Sequence, residues 1–263
     1  MTFDADFSRA ADLYARLGDI QPNAATYSRR VVIMLLDVSA SMSFTVADER
    51  GAGRPRRRID LLNEQLHRWL PSVREEGRGQ LRDVEMAVIT FSGRGVHPVT
   101  GDASRPRDQW HEDGGVFVRS ADLDLGELEA FGTTPMVTAI NLALDLSDAR
   151  TRYLARQNLQ TGQVRILMFG DGGSYDKDLP SDAWRTAAQR IDALRDQRRV
   201  QFFAFGAPGA DESVLRALAG NEGYVPLVDF DFERLLDLIL RATSADDPFE
   251  AIREQFGWEE PGT

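Results

Sequence analysis

The chain has 263 residues, a net charge of −11 and no cysteine. Such an acidic balance argues against broad nucleic-acid affinity, which needs a basic face, and the missing thiols exclude disulfides, zinc–thiolate sites and cysteine nucleophiles. No apolar run approaches the roughly 20 residues that span a bilayer, and the opening M-T-F-D-A-D-F lacks the basic-then-apolar order of a signal peptide, so a soluble, cytoplasmic protein is expected.

In chain order, Phe7, Ala10, Tyr14 and Leu17 fall at helical spacing and predict a short amphipathic helix over 4–19. Val31–Leu36 is then an unbroken apolar run, suited to a strand buried on both faces in a parallel sheet. It ends in Asp37, with hydroxyls at Ser39 and Ser41. The Gly-, Pro- and charge-rich stretch after Ser43 reads as a loop. Its arginines, Arg54 and Arg56 to Arg58, read first as a solvated surface and second as a grip on a phosphate or an acidic partner. They also abut the N-terminus of the next helix, where positive charge opposes the macrodipole. That helix carries the stripe Ile59, Leu62, Leu66 and Trp69 and is expected to end near Pro71.

Val84–Ser92 predicts a second strand and Val116–Val118 a short edge strand, separated by a long polar segment. His67, His97 and His111 share no ligand spacing and are expected at the surface. In F-G-T-T-P-M, Pro135 suits the first turn of a helix bearing Val137, Ile140 and Leu144. Thr134 is then placed at the helix N-cap, its hydroxyl free either to cap the helix or to face a ligand. Gln163–Gly170 predicts a third buried strand ending in Asp171, followed by a helix over 181–198, a strand over 200–206, a small helix around Asp211–Ala219 and a strand Tyr224–Val228. Phe232, Leu235, Leu236, Ile239 and Leu240 mark a last helix, and the acidic tail 244–263 carries Phe249, Phe256 and Trp258, suited to docking on the domain or on a partner. Strands alternating with helices of this length predict one α/β domain, a doubly wound, mostly parallel central sheet with helices on both faces. The organisation expected is a helical extension over 1–29, the domain over 30–243 and the tail over 244–263.

Two strands of one sheet ending in Asp37 and Asp171 would bring two carboxylates to one sheet edge, the edge where open α/β sheets bind ligands. Like charges that close repel unless a proton or a cation intervenes. Ser39, Ser41 and Thr134 offer hydroxyl oxygens, so the set suits a hard divalent ion: Mg²⁺ first, with Mn²⁺ and Ca²⁺ as alternatives. Five side chains, some acting through water, leave a position that an Asp or Glu of another protein can fill.

The run D-V-S-A-S-M at 37–42 resembles the D-x-S-x-S motif of von Willebrand factor A domains, the metal-ion-dependent adhesion site. The resemblance implies the Rossmann-like fold of that family and a metal held by Asp37, Ser39, Ser41, Thr134 and Asp171. It covers roughly 30–243. The segments L-L-D-V-S-A-S-M, I-D-L-L-N-E-Q-L, E-M-A-V-I-T-F-S, the G-T-T-P loop and A-F-G-A-P-G-A-D look most like the bacterial tellurium-resistance TerY type. Ala40 and Val38 depart from the usual Gly and Thr, G-D-G replaces T-D-G at Asp171, and Phe44–Pro55 looks like an insertion. What the resemblance implies is a non-catalytic adaptor in a bacterial stress-response or defence system, working beside protein kinases, PP2C-type phosphatases or AAA+ ATPases. The rival reading is a Mg²⁺-dependent phosphotransferase or phosphatase with Asp37 as nucleophile. It lacks the second acid two residues on, where Ser39 stands. Neither G-x-G-x-x-G, G-x-x-x-x-G-K-[ST] nor G-x-S-x-G occurs, which removes the nucleotide-binding and hydrolase readings.

Overall fold

The structure is a computed structural model that describes residues 28–46, 55–79, 81–173, 176, 179, 180, 182–207 and 210–226. The expected helix over 4–19, the last helix of Phe232 to Leu240, the tail and Arg54 lie outside these residues. Strand β1 (Ser28–Asp37) comes first, then a 3-10 turn (Ala40–Ser43) and a two-stranded arm, β2 (Thr45–Val46) with β3 (Arg56–Arg57). Helix α1 (Arg58–Glu76) leads to β4 (Val84–Ser92), β5 (Gly95–Pro98) and β6 (Val118–Arg119). Helix α2 (Met136–Arg156), β7 (Gln160–Thr161), β8 (Val164–Gly170), α3 (Ala183–Asp196), β9 (Val200–Gly206), α4 (Glu212–Gly223) and β10 (Tyr224–Pro226) follow.

The main sheet has the order β10-β9-β8-β1-β4-β5. All pairs from β10 to β4 are parallel, and β5 and β6 add antiparallel partners to β4. This is the expected α/β architecture. Strand β1 is central because Val31–Leu36 has no polar residue that must reach water. Its alternate residues feed two cores. Val32, Met34 and Leu36 pack on the side of α1 with Ile59, Leu62, Leu66 and Trp69. Val31, Ile33 and Leu35 pack on the side of α2, α3 and α4 with Val137, Ile140, Ile191 and Leu215.

Several boundaries differ from expectation for local reasons. Helix α1 runs past Pro71 to Glu76. Proline removes only the bond to the His67 carbonyl, and both residues lie on the solvent side, where water can accept that role. The edge strand forms at Val118–Arg119 while Val116 and Phe117 point into the core. Strand β5 was hidden in the polar segment because Gly95, Val96, His97 and Pro98 carry little apolar signal. His67 and His97 are exposed, but His111 is half-buried, its ring edge-on to Tyr153 at 5.8 Å. The arginines beside α1 are answered by its own acids: Arg56 donates to Glu64 at 2.5 Å and Arg57 to Asp60 at 2.6 Å, which offsets their opposition to the macrodipole. Among the described residues no helix is long and apolar enough to cross a membrane.

One buried ion pair staples α2 to the amino end of β4. Arg150 and Glu85 keep only 4% and 3% of their side chains exposed. Two parallel bonds join them, Nε to Oε1 at 2.5 Å and Nη2 to Oε2 at 2.6 Å, and Nη1 reaches the His111 carbonyl at 2.8 Å. The guanidinium also lies 5.2 Å from the ring centroids of both Phe117 and Tyr153. Nη2 also reaches Asp113 Oδ1 at 3.0 Å, so Arg150 has a second carboxylate partner while Glu85 has no other cation among its described partners. Arg150→Met should therefore strand the Glu85 charge and lose about 3–5 kcal/mol in urea unfolding, whereas a Glu85→Met/Arg150→Met double variant should recover most of it.

Candidate metal centre

The strand register builds the centre. Leu36 of β1 pairs with Phe169 of β8, so both chains leave the sheet side by side at its carboxyl edge. Asp37 is the last residue of β1, and Asp171 follows the end of β8. The strand order reverses at β1, with β8 on one side and β4 on the other, which makes this the crevice where such sheets take ligands.

Asp37 is only 1% exposed. Its Oδ1 accepts the Ser39 N–H at 2.8 Å, the local bond by which Asp folds the chain into a turn. Its Oδ2 is buried without a hydrogen-bond partner, a state that native structures avoid unless the atom has another use. A glycine beside the carboxylate eases its fit: a Cβ on Gly170 would lie 3.1 Å from Oδ2 and 3.2 Å from the Asp37 Cβ, tighter than ordinary contact. Burial pushes the Asp37 carboxyl up to about 7; the Ser39 bond opposes the shift and the Asp171 charge adds to it. Next to it the Ser39 and Ser41 hydroxyls lie 3.0 Å apart, with Ser39 buried and Ser41 half-buried.

Asp171 is half-buried and is held through its backbone. Its carbonyl accepts the Asp211 N–H at 2.7 Å, and its Oδ1 accepts the Gly173 N–H at 3.0 Å. The preceding Gly170 carbonyl accepts the Ala207 N–H at 3.0 Å. The loops after β8 and β9 are thereby tied together.

The loop bearing Thr134 is laid against the first loop by backbone bonds. Phe131 N–H donates to the Val38 carbonyl at 2.8 Å, and the Gly132 carbonyl accepts the Ala40 N–H at 2.8 Å. Gly93 N–H donates to the Phe131 carbonyl at 2.9 Å. Gly132 has φ +67°, and a Cβ on Gly93 would lie 2.7 Å from the Gly132 Cα, so both positions require glycine. Further back, Asn63 of α1 brackets Leu128, donating to its carbonyl and accepting from its N–H, both at 2.8 Å. An extended segment is fixed in this way without a strand partner.

Thr134 does not cap α2, contrary to expectation. The helix begins at Met136, with Pro135 at the cap position and no side-chain cap of its own. Asp176, five residues beyond Asp171, meets the first turn instead. Its carboxylate accepts Val137 N–H at 3.1 Å, Thr138 N–H at 3.0 Å and the Thr138 hydroxyl at 2.6 Å. No local spacing announces a cap that comes from 38 residues away. Thr134 itself is half-buried.

Among the described residues no group of three His, Cys, Asp or Glu side chains converges as a metal cage. What the edge offers is two carboxylates and serine hydroxyls, with the Thr134 loop laid alongside. A buried oxygen without a donor, beside a second carboxylate and two hydroxyls, suits a hard divalent cation better than a proton donor.

No protein-family model and no curated protein matches the sequence. Solved structures resemble it in fold. The pilus adhesin SpaC from Lactobacillus rhamnosus GG, in an open conformation, is 13% identical with a TM-score of 0.53 over 86% of this chain and 31% of the adhesin. Proximal thread matrix protein 1 from the mussel byssus is 17% identical with a TM-score of 0.46 over 81% of this chain and 47% of that one. The SpRpn10 VWA domain is 13% identical with a TM-score of 0.45 over 79% of this chain and 95% of the domain. This chain thus spans under a third of the adhesin's length and about half that of the byssus protein. At such identities the likeness is one of fold.

Two measurements probe this edge without any partner. Asp176→Ala should cost about 1 kcal/mol, the usual effect of losing a cap, with faster amide exchange at Val137 and Thr138. The folded-state pKa of Asp37 lies above its unfolded value, so in chelator its ionisation should erode stability as pH rises from about 4 through about 7. Asp37→Asn should remove that slope, and urea unfolding of both proteins across the range checks it.

Proposed function

We propose that the chain is a von Willebrand factor A-type, metal-dependent protein-binding module, a non-catalytic adaptor whose cation is held by Asp37, Ser39, Ser41, Thr134 and Asp171. The observation that carries this reading is the buried, unpartnered Oδ2 of Asp37 at the edge where Asp171 also emerges. Two carboxylates gather at that edge with no cationic side chain among their described partners. When bound there, Mg²⁺ (or Mn²⁺ or Ca²⁺) supplies a Lewis-acidic position for an incoming carboxylate. Asp37 and Asp171 neutralise its charge, and the Ser39 and Ser41 hydroxyls are already paired at the spacing that lets both face one ion. Gly170 keeps the space beside Asp37 free of side chain.

The motif's likeness to the TerY type supports a role in a bacterial stress-response or defence system, in the cytoplasm. Its partner is a protein that presents Asp or Glu to the metal, such as a kinase, a PP2C-type phosphatase or an AAA+ ATPase.

Titration calorimetry tests the centre directly. Wild type should bind Mg²⁺ at one site, and Asp37→Asn should lose at least tenfold in affinity while melting no lower than wild type in chelator. Saturating Mg²⁺ at about 100 times the wild-type Kd should raise wild-type stability by about 2.7 kcal/mol and the variant's by about 1.4 kcal/mol or less. Equal Mg²⁺ affinity in the two proteins would overturn the reading. Turnover of p-nitrophenyl phosphate that disappears in Asp37→Asn would replace it with the phosphotransferase alternative.

A further inference from the structure

Four large hydrophobic side chains are exposed among the described residues: Phe44 (64%), Val99 (37%), Phe131 (50%) and Leu179 (39%). Three of them sit on the three loops of the candidate centre. Phe44 follows Ser41 by three residues, Phe131 precedes Thr134 by three, and Leu179 lies in the loop that starts at Asp171. Val99 is the exception: it follows Pro98, which pairs with Ile89 in the middle of β4, away from the rim.

These side chains are not outward because their backbones are loose. Phe44 N–H donates to the Ser41 carbonyl at 3.1 Å, and its carbonyl accepts the Arg58 N–H at 3.0 Å. Met42, two residues earlier, is buried, so the turn sends one apolar side chain in and the next one out. Phe131 is bonded at both its N–H and its carbonyl, to Val38 and Gly93. Leu179 N–H donates to the carbonyl of Asp176, which itself caps α2. Three apolar groups held outward by backbone bonds, each on a loop at the same sheet edge, offer a surface suited to being covered.

We propose that Phe44, Phe131 and Leu179 form an apolar collar around the centre that receives a partner-protein segment whose Asp or Glu is flanked by aromatic or long aliphatic side chains. The acidic part of this inference rests on the metal-binding reading, and the apolar part on the collar. Charge complementarity favours such a partner. The Arg94 guanidinium lies 5.1 Å from the centroid of the Phe131 ring and is 61% exposed, held by Glu129 at 3.1 Å. A carboxylate arriving over the collar meets this cation as well as the centre. On a chain of net charge −11, an acidic segment is repelled broadly, and an arginine it can share with Glu129 at this edge favours its docking here. The flanking apolar groups supply the burial that one carboxylate–metal contact lacks.

Selection of a displayed random 12-residue peptide library on the full chain, in Mg²⁺ and in chelator, tests this. The expected peptides share one Asp or Glu with an aromatic or aliphatic residue within two positions. A synthetic consensus peptide should bind a Phe44→Ser/Phe131→Ser variant at least tenfold more weakly than wild type, while Mg²⁺ affinity of that variant by calorimetry stays within threefold. Enriched peptides without apolar flanks, equal binding to the double variant, or no enrichment would overturn the collar. Apolar-flanked peptides that bind equally in chelator and to Asp37→Asn would leave the collar standing and remove the metal reading. Two further results would also overturn the external partner. One is self-association lost in the double variant, which would make a second copy the occupant. The other is enrichment that needs Phe249, Phe256 and Trp258 replaced by Ser, which would assign the collar to the chain's own acidic tail.

Discussion

The arrangement depends on the parallel register of β1 and β8 at the centre of the sheet. Parallel strands put all their carboxyl ends on one side, so any two adjacent strands that end in Asp bring like charges together. Leu36 opposite Phe169 fixes the register, because a one-residue shift would exchange the side chains fitted to the two cores and move Asp37 one residue along the edge. The cores hold the register, and the register holds the carboxylates. The raised pKa of Asp37 is therefore a cost imposed by packing elsewhere.

Much of this was legible in the chain itself. The apolar run of Val31–Leu36, the aspartates at both strand ends and the alternation of strands with helices all mark a doubly wound sheet with a charged edge. What could not be read was whatever depends on distant partners. Asp176 caps α2 across 38 positions, and Asn63 brackets Leu128 across 65. Pro71 reads as a helix end, yet α1 continues because Leu66, Trp69, Leu70 and Val73 on its other face stay packed in the core, which offsets the bond and the crowding the proline costs. Gly170 looked like an ordinary strand residue, although its missing side chain eases the fit of the Asp37 carboxylate. Phe44 and Phe131 carried the opposite difficulty: nothing in their spacing distinguishes an exposed aromatic from a core one.

Backbone bonds, not side chains, join the loop after β1, the turn after β4 and the loop of Thr134. Val38, Ala40, Gly93, Phe131 and Gly132 exchange N–H and carbonyl groups, and glycine at two of these positions allows the close approach. Asp171 is tied by its carbonyl to Asp211 in the next loop, and the Asp176 carboxylate reaches the first turn of α2. Side chains on such a frame can be chosen for what they present to solvent, since they are not needed to hold it together. That freedom lets one frame carry hydroxyls inward at Ser39 and an aromatic ring outward at Phe131.

The two edges of the sheet treat buried acid in opposite ways. At the amino edge Glu85 is met by Arg150, which also reaches the His111 carbonyl and lies against two rings, so charge and hydrogen-bond capacity are both satisfied from within the chain. At the carboxyl edge Asp37 is as deeply buried, yet its nearest charged neighbour is another aspartate and one oxygen has no donor. A chain that can place an arginine fork on one buried carboxylate had the means to place one on the other. Leaving Asp37 without it sacrifices stability at an edge where three loops converge, and stability foregone at one locus of a well-packed domain is the usual mark of a site that binds something. The amino-edge staple and the two cores carry the fold, so the carboxyl edge can remain electrostatically unfinished.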